Sequence, residues 1–455
     1  MELDTLMRPM STPAEPLDLY SLHPYPEDQE ARADSRRCFV TKESKTQVVW
    51  TDLAQDQIPG IPQVFNSLAE LRGYTSLQCP RQNGLRIISI SQPNSWKALN
   101  VTREMFWEIV NTVGASSELL ALPLSFFPKR DPVEEGFSSA PVVRLNGDSL
   151  EVIYIVKYAF EKPLEEKGKE NWVLRQTGVY YKYEFASKNS TWLFLHPTPN
   201  CKFQRRLTQF LESDQRANLQ CNPLLIHSIL FGTFFPAWRD YLKELESRIL
   251  PVANDTVASE IDKPLQLNHE SLTAVRRIEN RCLVLQPIFP SLDKIFDVLH
   301  QANAALAERG ATQPAELQAM KQLLNNYSTI IDSYRQAVWS LQSRISRIAA
   351  HITDTLSFKD AFIAKRQSEF ILRDSTTVRV ITVVTLIYLP STFMATLLGM
   401  NSFFEMDDSR HIVVSPQFWI YIVCAVPLTA ATLCYWWYFQ KAKQRSEPTN
   451  DVLMV

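Results

Sequence analysis

Residues 380–404 read VITVVTLIYLPSTFMATLLGMNSFF and residues 412–440 read IVVSPQFWIYIVCAVPLTAATLCYWWYFQ. Neither stretch contains Asp, Glu, Lys or Arg. Each is long enough to cross a hydrocarbon core of about 30 Å as a helix that rises about 1.5 Å per residue. A short acidic loop joins them. We therefore predict that residues 378–440 form a two-helix membrane hairpin rather than a buried hairpin of a soluble protein.

Basic residues lie almost entirely on one side of this hairpin, and Arg410 is the single Lys or Arg between the two stretches. The positive-inside rule then places both termini in the cytosol and the loop outside. The start of the chain lacks the pattern of a signal peptide or presequence, so the plasma membrane is the first expectation and an internal membrane the alternative. The flanking basic residues are Lys359, Lys365, Arg366, Arg373 and Arg379 before the hairpin, and Lys441, Lys443 and Arg445 in the expected cytosolic tail 441–455.

Composition limits the other possibilities. A chain of 455 residues suggests two or three domains, and a net charge of −2 gives no argument for a nucleic-acid partner. The seven cysteines form no CxxC pair, which suits a reducing cytosol better than a zinc site or a disulfide framework. Histidines stand singly, and no phosphate-binding loop or nucleophile motif is present. We expect neither an enzyme nor a bound cofactor.

The region before the hairpin divides into three parts. Residues 1–37 are rich in Pro, Asp and Glu and are expected to be a disordered tail. Residues 38–220 alternate short apolar runs with turns and predict an α/β or α+β domain, with a hairpin turn at Asn146-Gly147 and a helix capped by Thr102. Residues 221–377 are expected to be a helical region and stalk. The predicted strands are 85–90, 142–145, 150–160, 179–185 and 192–195.

Within the helical region, residues 224–238 are too short for a third span and are expected to be a buried helix. One helix is predicted over 267–308, disturbed at its prolines, and a second from 315 to 401. The second helix carries an apolar seam in steps of three and four, which either joins copies as a coiled coil or packs on the preceding helix of the same chain. The seam consists of Leu317, Met320, Leu324, Tyr327, Ile331, Tyr334, Val338, Leu341, Ile345, Ile348 and Ile352.

The first apolar stretch has one face that becomes hydroxylic toward its outer end. Such a face lines a narrow, partly wetted conduit or serves as an ordinary contact between membrane helices, where Ser and Thr are common. The face consists of Ile381, Thr385, Leu389, Thr392, Thr396 and Asn401.

Residues 388–401, YLPSTFMATLLGMN, resemble the pore helix of CorA-type magnesium transporters, including their divergent fungal-like members. The resemblance in residues covers about 376–439, with Gly399, Met400 and Asn401 at the outer end of the penultimate span. The architecture is also similar, because an α/β domain and a helical stalk precede two terminal spans. This resemblance implies a homopentamer, without nucleic acid, whose first span surrounds the pore.

The resemblance also implies roles for individual residues. Gly399, Met400 and Asn401 would form a selectivity filter that meets a hydrated cation. Thr396, Thr392 and Thr385 would line the pore, and Leu389 and Ile381 would form hydrophobic constrictions. In the loop, Glu405, Asp407 and Asp408 would attract cations to the mouth; alternatively, they only keep the loop outside the membrane.

Two positions depart from the family pattern. Leu398 and Ser402 stand where the family usually has aromatic residues on either side of the filter. We therefore keep two alternatives to a Mg²⁺ transporter: a Zn²⁺, Co²⁺ or Ni²⁺ transporter of the same superfamily, and a non-conducting membrane-anchored scaffold or sensor. Regulatory cation sites are not placed by the sequence. Asp354, Asp360 and Glu369 on the stalk are better interpreted as a solvated helix face.

Overall fold

The chain forms two compact units, Met1–Thr353 and Asp354–Val455. The division therefore falls inside one long helix, whereas the sequence suggested boundaries at 220 and 377. The computed structural model describes residues 21–53, 62–76, 84–163, 171–258, 268–398, 404–406, 412–414, 416 and 418–446.

The first unit is built on a seven-stranded mixed sheet with the strand order β2-β1-β3-β7-β6-β5-β4. Strands β3 and β7 are parallel, and every other neighbouring pair is antiparallel. The strands are β1 Val48–Leu53, β2 Gln63–Phe65, β3 Leu85–Ser91, β4 Val142–Asn146, β5 Ser149–Glu161, β6 Trp172–Glu184 and β7 Asn189–His196.

All five predicted strands are present, and the structure adds β1 and β2. The expected turn joins β4 to β5, since Asn146 pairs with Ser149 across Gly147 and Asp148. Strand β6 begins at Trp172, well before the predicted start at 179, because its first half pairs with the end of β5. Pairing with a long neighbour thus extends a segment whose own sequence signal is weaker.

Helices cover both faces of the sheet and continue into the second unit. The helices are α1 Pro26–Ser35, α2 Leu68–Ser76, α3 Arg103–Val113, α4 Lys202–Glu212, α5 Asn218–Cys221, α6 Leu225–Phe234, α7 Pro236–Ala258, α8 His269–Leu285, α9 Ile288–Glu308, α10 Pro314–Leu398 and α11 Phe418–Ser446.

Within the predicted disordered tail 1–37, residues 1–20 lie outside the described residues, and residues 26–35 form helix α1 instead. It begins with a proline and two acidic residues, which suit a helix N-terminus, and it buries Gln29 and Ala33. Arg103 on α3 forms ion pairs of 2.9 Å with Glu30 and with Asp34. The acidic residues that suggested disorder thus form ion pairs with the folded domain.

On one face of the sheet, α3 forms as predicted. The Thr102 hydroxyl oxygen accepts a hydrogen bond from the Met105 N–H. The apolar face of α3 is buried against β1, β3 and β7; it consists of Met105, Phe106, Ile109, Val110 and Val113. On the other face, aromatic side chains of β5, β6 and β7 pack on α4 and α6, as in the stacked pair Tyr158 and Phe234. The 224–238 segment is largely buried in the first unit, as expected, but it forms two helices, α6 and the start of α7, instead of one.

The single helix predicted over 267–308 is instead the pair α8 and α9. The break falls at Pro287, which lacks the N–H that would continue the backbone ladder of α8. Gly310, with a φ of 69°, follows the end of α9.

The apolar seam of α10 packs within its own chain. Met320, Leu324, Ile331, Ile345 and Ile352 are buried in the isolated chain. Tyr327 stacks on Phe296 of α9, and Tyr334 packs at a tilt against Phe289. Tyr327 also donates a hydrogen bond to the Ser228 carbonyl of α6 at 3.3 Å. Of the two alternatives for this seam, intramolecular packing is the one that the structure contains.

The second unit contains the end of α10, a two-stranded hairpin and α11. The hairpin strands are β8 Phe404–Met406 and β9 Ile412–Val414, paired antiparallel. The candidate spans, Val378–Leu397 and Phe418–Phe439, are therefore shorter than the apolar stretches 380–404 and 412–440. Phe404 and Ile412 belong to the hairpin because aromatic and β-branched residues also favour paired strands.

Candidate functional site

Two helices of the second unit are long and apolar enough to cross a membrane, Val378–Leu397 and Phe418–Phe439. Each has a mean hydropathy of 1.8, and only 6% of its most apolar window is buried. A core helix of a soluble protein buries such a surface, whereas a membrane helix exposes it to lipid. The exposure therefore favours membrane insertion.

Helices α10 and α11 contact each other along one side of α10. The Tyr421 hydroxyl donates a hydrogen bond of 3.2 Å to the Ser391 carbonyl, and the Arg379 guanidinium lies 5.8 Å from the centre of the Trp436 ring. Pro390 and Ala425 are buried. Residue 379 contacts residue 436, whereas the later residue 391 contacts the earlier residue 421. The two helices are therefore antiparallel.

The five predicted pore-lining residues of α10 lie on a different face. At 3.6 residues per turn they fall within an arc of roughly 80°, centred roughly 140° around the helix from the row Leu386, Pro390 and Met394. That row is partly or fully buried. The five pore-lining residues are all exposed: Ile381, Thr385, Leu389, Thr392 and Thr396.

The hydroxyl groups on this face are bonded to their own helix. Thr385 donates to the Ile381 carbonyl at 2.8 Å, Thr396 donates to the Thr392 carbonyl at 2.7 Å, and Thr392 donates to the Tyr388 carbonyl. Each hydroxyl hydrogen is therefore already used, while the oxygen keeps acceptor capacity. The face presents hydrogen-bond acceptors between apolar side chains.

The filter itself falls outside the described residues, as do Asp407 and Asp408 of the loop. Glu405 belongs to β8 of the hairpin. Thus the structure brings together the five pore-lining positions and does not test the three filter positions. On the predicted stalk, Asp354, Asp360 and Glu369 are exposed, as expected for a solvated face.

Within the part of the chain that the structure describes, no three His, Cys, Asp or Glu side chains are grouped to hold a metal ion. The buried histidines of the first unit have other partners: His227 Nδ1 lies 2.6 Å from the Tyr154 hydroxyl, and His196 Nδ1 lies 3.6 Å from Cys201 Sγ. Burial lowers the pKa of each histidine to about 3.

The family profile described as CorA-like transporters matches residues 21–257, just over half of the 455 residues. The chain belongs to the CorA-like transporter family. The matched residues lie in the first unit and do not overlap residues 388–401, which carry the resemblance in the pore helix. Two separate parts of this CorA-like chain therefore point to the same family.

A comparison with solved structures matched this chain to three proteins, among others. Full-length CmaX is 13% identical with a TM-score of 0.42, and the match covers 89% of this chain and 100% of CmaX. The soluble domain of CorA from Methanocaldococcus jannaschii is 14% identical with a TM-score of 0.35 and coverages of 65% and 95%. The ZntB cytoplasmic domain from Vibrio parahaemolyticus is 9% identical with a TM-score of 0.35 and coverages of 66% and 97%. A search of the curated proteins found no match.

The sequence analysis missed the contacts between α10 and α11. The Tyr421 hydroxyl donates a hydrogen bond to the backbone of α10 one residue beyond Pro390. Pro390 removes the backbone donor of the Leu386 carbonyl and not that of the Ser391 carbonyl, so the proline does not explain this hydrogen bond. A tyrosine near the start of the last candidate span was the available signal.

Proposed function

We propose that this CorA-like protein moves divalent cations, Mg²⁺ first among them, into the cytosol through a pore built by five copies of α10. The protein would lie in the plasma membrane with both termini cytosolic. One observation carries the proposal: the candidate pore face of α10 is exposed and lies away from α11. That face is therefore available to line an axis between copies, with α11 on the outside.

The chemistry of the face suits a hydrated cation. Mg²⁺ sheds water reluctantly, and the waters around a cation present their hydrogen atoms outward. Rings of Thr385, Thr392 and Thr396, whose own hydrogen atoms are bonded to backbone carbonyls, would accept hydrogen bonds from those waters. Between them, rings of Leu389 and Ile381 would form constrictions that close by dewetting.

The filter and the mouth complete the proposal on the basis of the family resemblance. The Asn401 amide would hydrogen-bond the hydration shell without replacing it, beside the backbone of Gly399 and Met400. Glu405, Asp407 and Asp408 would contribute three carboxylates per copy at the outer mouth. Clustered charge of one sign raises the local concentration of counter-ions.

The first experiment measures Mg²⁺ uptake into proteoliposomes by the wild type and by Asn401→Ala. We expect uptake by the wild type and its loss in the variant, because the filter would lose the amide that contacts the hydration shell. Asn326→Ala is the matched control, since Asn326 is exposed on α10 within the first unit. Both variants must first elute at the oligomer position of the wild type.

Parallel assays with Zn²⁺, Co²⁺ and Ni²⁺ distinguish the metal alternatives. Uptake of one of these ions without Mg²⁺ would assign the protein to the superfamily alternative. If a well-assembled wild type carries none of the four ions, the pore proposal is wrong and a membrane-anchored scaffold or sensor replaces it.

A further inference from the structure

Helix α10 runs through Pro390, which lies inside the first candidate span. Proline has no N–H, so the Leu386 carbonyl loses the backbone donor that residue 390 of a regular helix provides. Lipid supplies no hydrogen-bond donor in its place. The backbone of α10 is therefore weakened over residues 386–392, which we call the Pro390 turn.

Hydroxyl groups at the end of the Pro390 turn weaken the helix further. The Ser391 hydroxyl donates to the Tyr388 carbonyl at 2.9 Å, and the Thr392 hydroxyl donates to the same carbonyl. Side-chain bonds of this kind slightly destabilise a helix and often bend it. The part of α10 beyond the Pro390 turn is thus less firmly fixed by its own backbone.

Helix α11 packs against α10 at the Pro390 turn. Of the described residues in the two candidate spans, only Pro390 and Ala425 are buried. Tyr421, one turn before Ala425 on the same side of α11, donates its hydroxyl hydrogen to the Ser391 carbonyl at 3.2 Å. That carbonyl belongs to the first residue after the proline. A side chain of α11 therefore joins the backbone of α10 where the outer part of the helix begins.

Pro390 also divides the candidate pore face into two parts. Ile381, Thr385 and Leu389 come before the proline, whereas Thr392 and Thr396 come after it. A rotation of the outer part about the Pro390 turn would move its two hydroxyl groups relative to the three residues of the inner part. The bond from α11 opposes such a rotation, because its acceptor is a backbone carbonyl rather than a mobile side chain.

We propose that Tyr421 is a positioning residue of the ion path: its hydroxyl fixes the outer part of α10 and so sets the width of the rings that Thr392 and Thr396 form. The inference rests on the function proposed above. Tyr421 contacts α10 away from the pore face and acts only through the Ser391 carbonyl. Because the diameter of a pore and the groups that line it determine selectivity, the loss of this bond lowers selectivity between ions.

Hydrogen–deuterium exchange of the full-length protein in detergent measures how firmly α10 is fixed. Tyr421→Phe removes the hydroxyl and keeps the ring. The amides of residues 391–398 should then exchange roughly twofold to tenfold faster, as expected for the loss of one hydrogen bond. Tyr438→Phe is the matched control, because Tyr438 lies on the same helix with a side chain that is 70% exposed. It should leave the exchange of these amides unchanged.

Ion uptake into proteoliposomes measures the consequence for the ion path. Mg²⁺, Zn²⁺, Co²⁺ and Ni²⁺ are each assayed, and the selectivity is the ratio of the uptake rates of the best and the poorest ion. Tyr421→Phe should lower this ratio at least about threefold, whereas Tyr438→Phe should not. A loss of folded protein alone would lower the uptake of every ion equally and would leave the ratio unchanged.

Pro390→Ala tests the connection between the weakened turn and the bond from α11. Alanine restores the N–H that the Leu386 carbonyl lacks, so the backbone of α10 then fixes the outer part of the helix. In this background Tyr421→Phe should change the exchange rates by less than about 1.5-fold, which is a non-additive result. If Pro390→Ala does not assemble, the comparison of Tyr421→Phe with Tyr438→Phe decides.

Unchanged exchange of residues 391–398 in Tyr421→Phe would overturn the inference. So would an unchanged ion ratio in this variant when the wild type transports ions, or fully additive effects of the Tyr421 and Pro390 substitutions. A wild type that carries none of the four ions overturns the proposed function instead. Exchange needs no ion transport, so it still decides in that case whether Tyr421 fixes α10.

Discussion

His227 is one of the two buried histidines, with His196, whose pKa the fold lowers to about 3. It is fully buried on α6, its Nδ1 lies 2.6 Å from the Tyr154 hydroxyl, and burial lowers its pKa from 6.5 to about 3. The folded protein therefore keeps His227 neutral at pH values where the unfolded chain protonates it. Because the unfolded state then binds more protons, the free energy of unfolding decreases as the pH falls from about 6.5 toward 3.

We expect His227→Gln to weaken the pH dependence of the free energy of unfolding by the equivalent of about one bound proton. Glutamine does not titrate and can still bond the Tyr154 hydroxyl, so the slope should decrease by about 1.4 kcal/mol per pH unit between about pH 4 and 6. Denaturant unfolding in detergent at several pH values measures the slope. His269→Gln, at an exposed position of α8, should leave it unchanged; an unchanged slope in His227→Gln would show that His227 is not buried in its neutral form.

Thr396 tests the face of the pore helix. Thr396→Val removes a hydroxyl acceptor from the proposed ion path, and a hydrogen bond is worth about 0.5–1.5 kcal/mol, so Mg²⁺ uptake should fall roughly threefold to tenfold. Thr429→Val is the matched control, because both hydroxyls donate to a carbonyl of their own helix at 2.7 Å. Equal effects of the two substitutions in proteoliposomes would place the ion path elsewhere.

Among the elements, α10 is the one whose packing partner the sequence left open. The steps of three and four predicted the buried side of this helix correctly, since that periodicity depends only on helix geometry. The same pattern fits a partner in the same chain or in another copy. Only the contacts with α9 and α6 distinguish these cases.

We expect Ile345→Ala to lower the free energy of unfolding by about 2–5 kcal/mol, because Ile345 is fully buried and its truncation leaves a cavity. Trp339→Ala, on a side chain that is 70% exposed on the same helix, should change it by less than about 0.5 kcal/mol. Unfolding followed by circular dichroism measures both. A loss that grows on dilution would indicate that the seam is an interface between copies.

For the whole molecule, the decisive prediction is the number of chains in the particle. A pore lined by α10 requires several copies around one axis, and the family resemblance implies five. Light scattering combined with size-exclusion chromatography in detergent should give five chains per particle. A monomer or dimer would remove the pore, whereas a pentamer leaves both the transporter and the scaffold alternatives to the uptake assay.

The sequence by itself determined the features that depend on neighbours along the chain. The two spans, the helix capped by Thr102 and the Asn146-Gly147 turn follow from length, periodicity and local hydrogen bonding. The identity of the candidate pore face was also predicted, because helix geometry fixes which residues share a side.

Tertiary structure alone decided what each surface contacts. It paired β3 with β7 across about a hundred intervening residues, tied the charged helix α1 to α3 through Arg103, and set α11 against the Leu386 side of α10. Local periodicity predicts that one face of an element is apolar, but it does not predict which distant segment packs against that face. That choice depends on the burial and hydrogen bonding available in the complete fold.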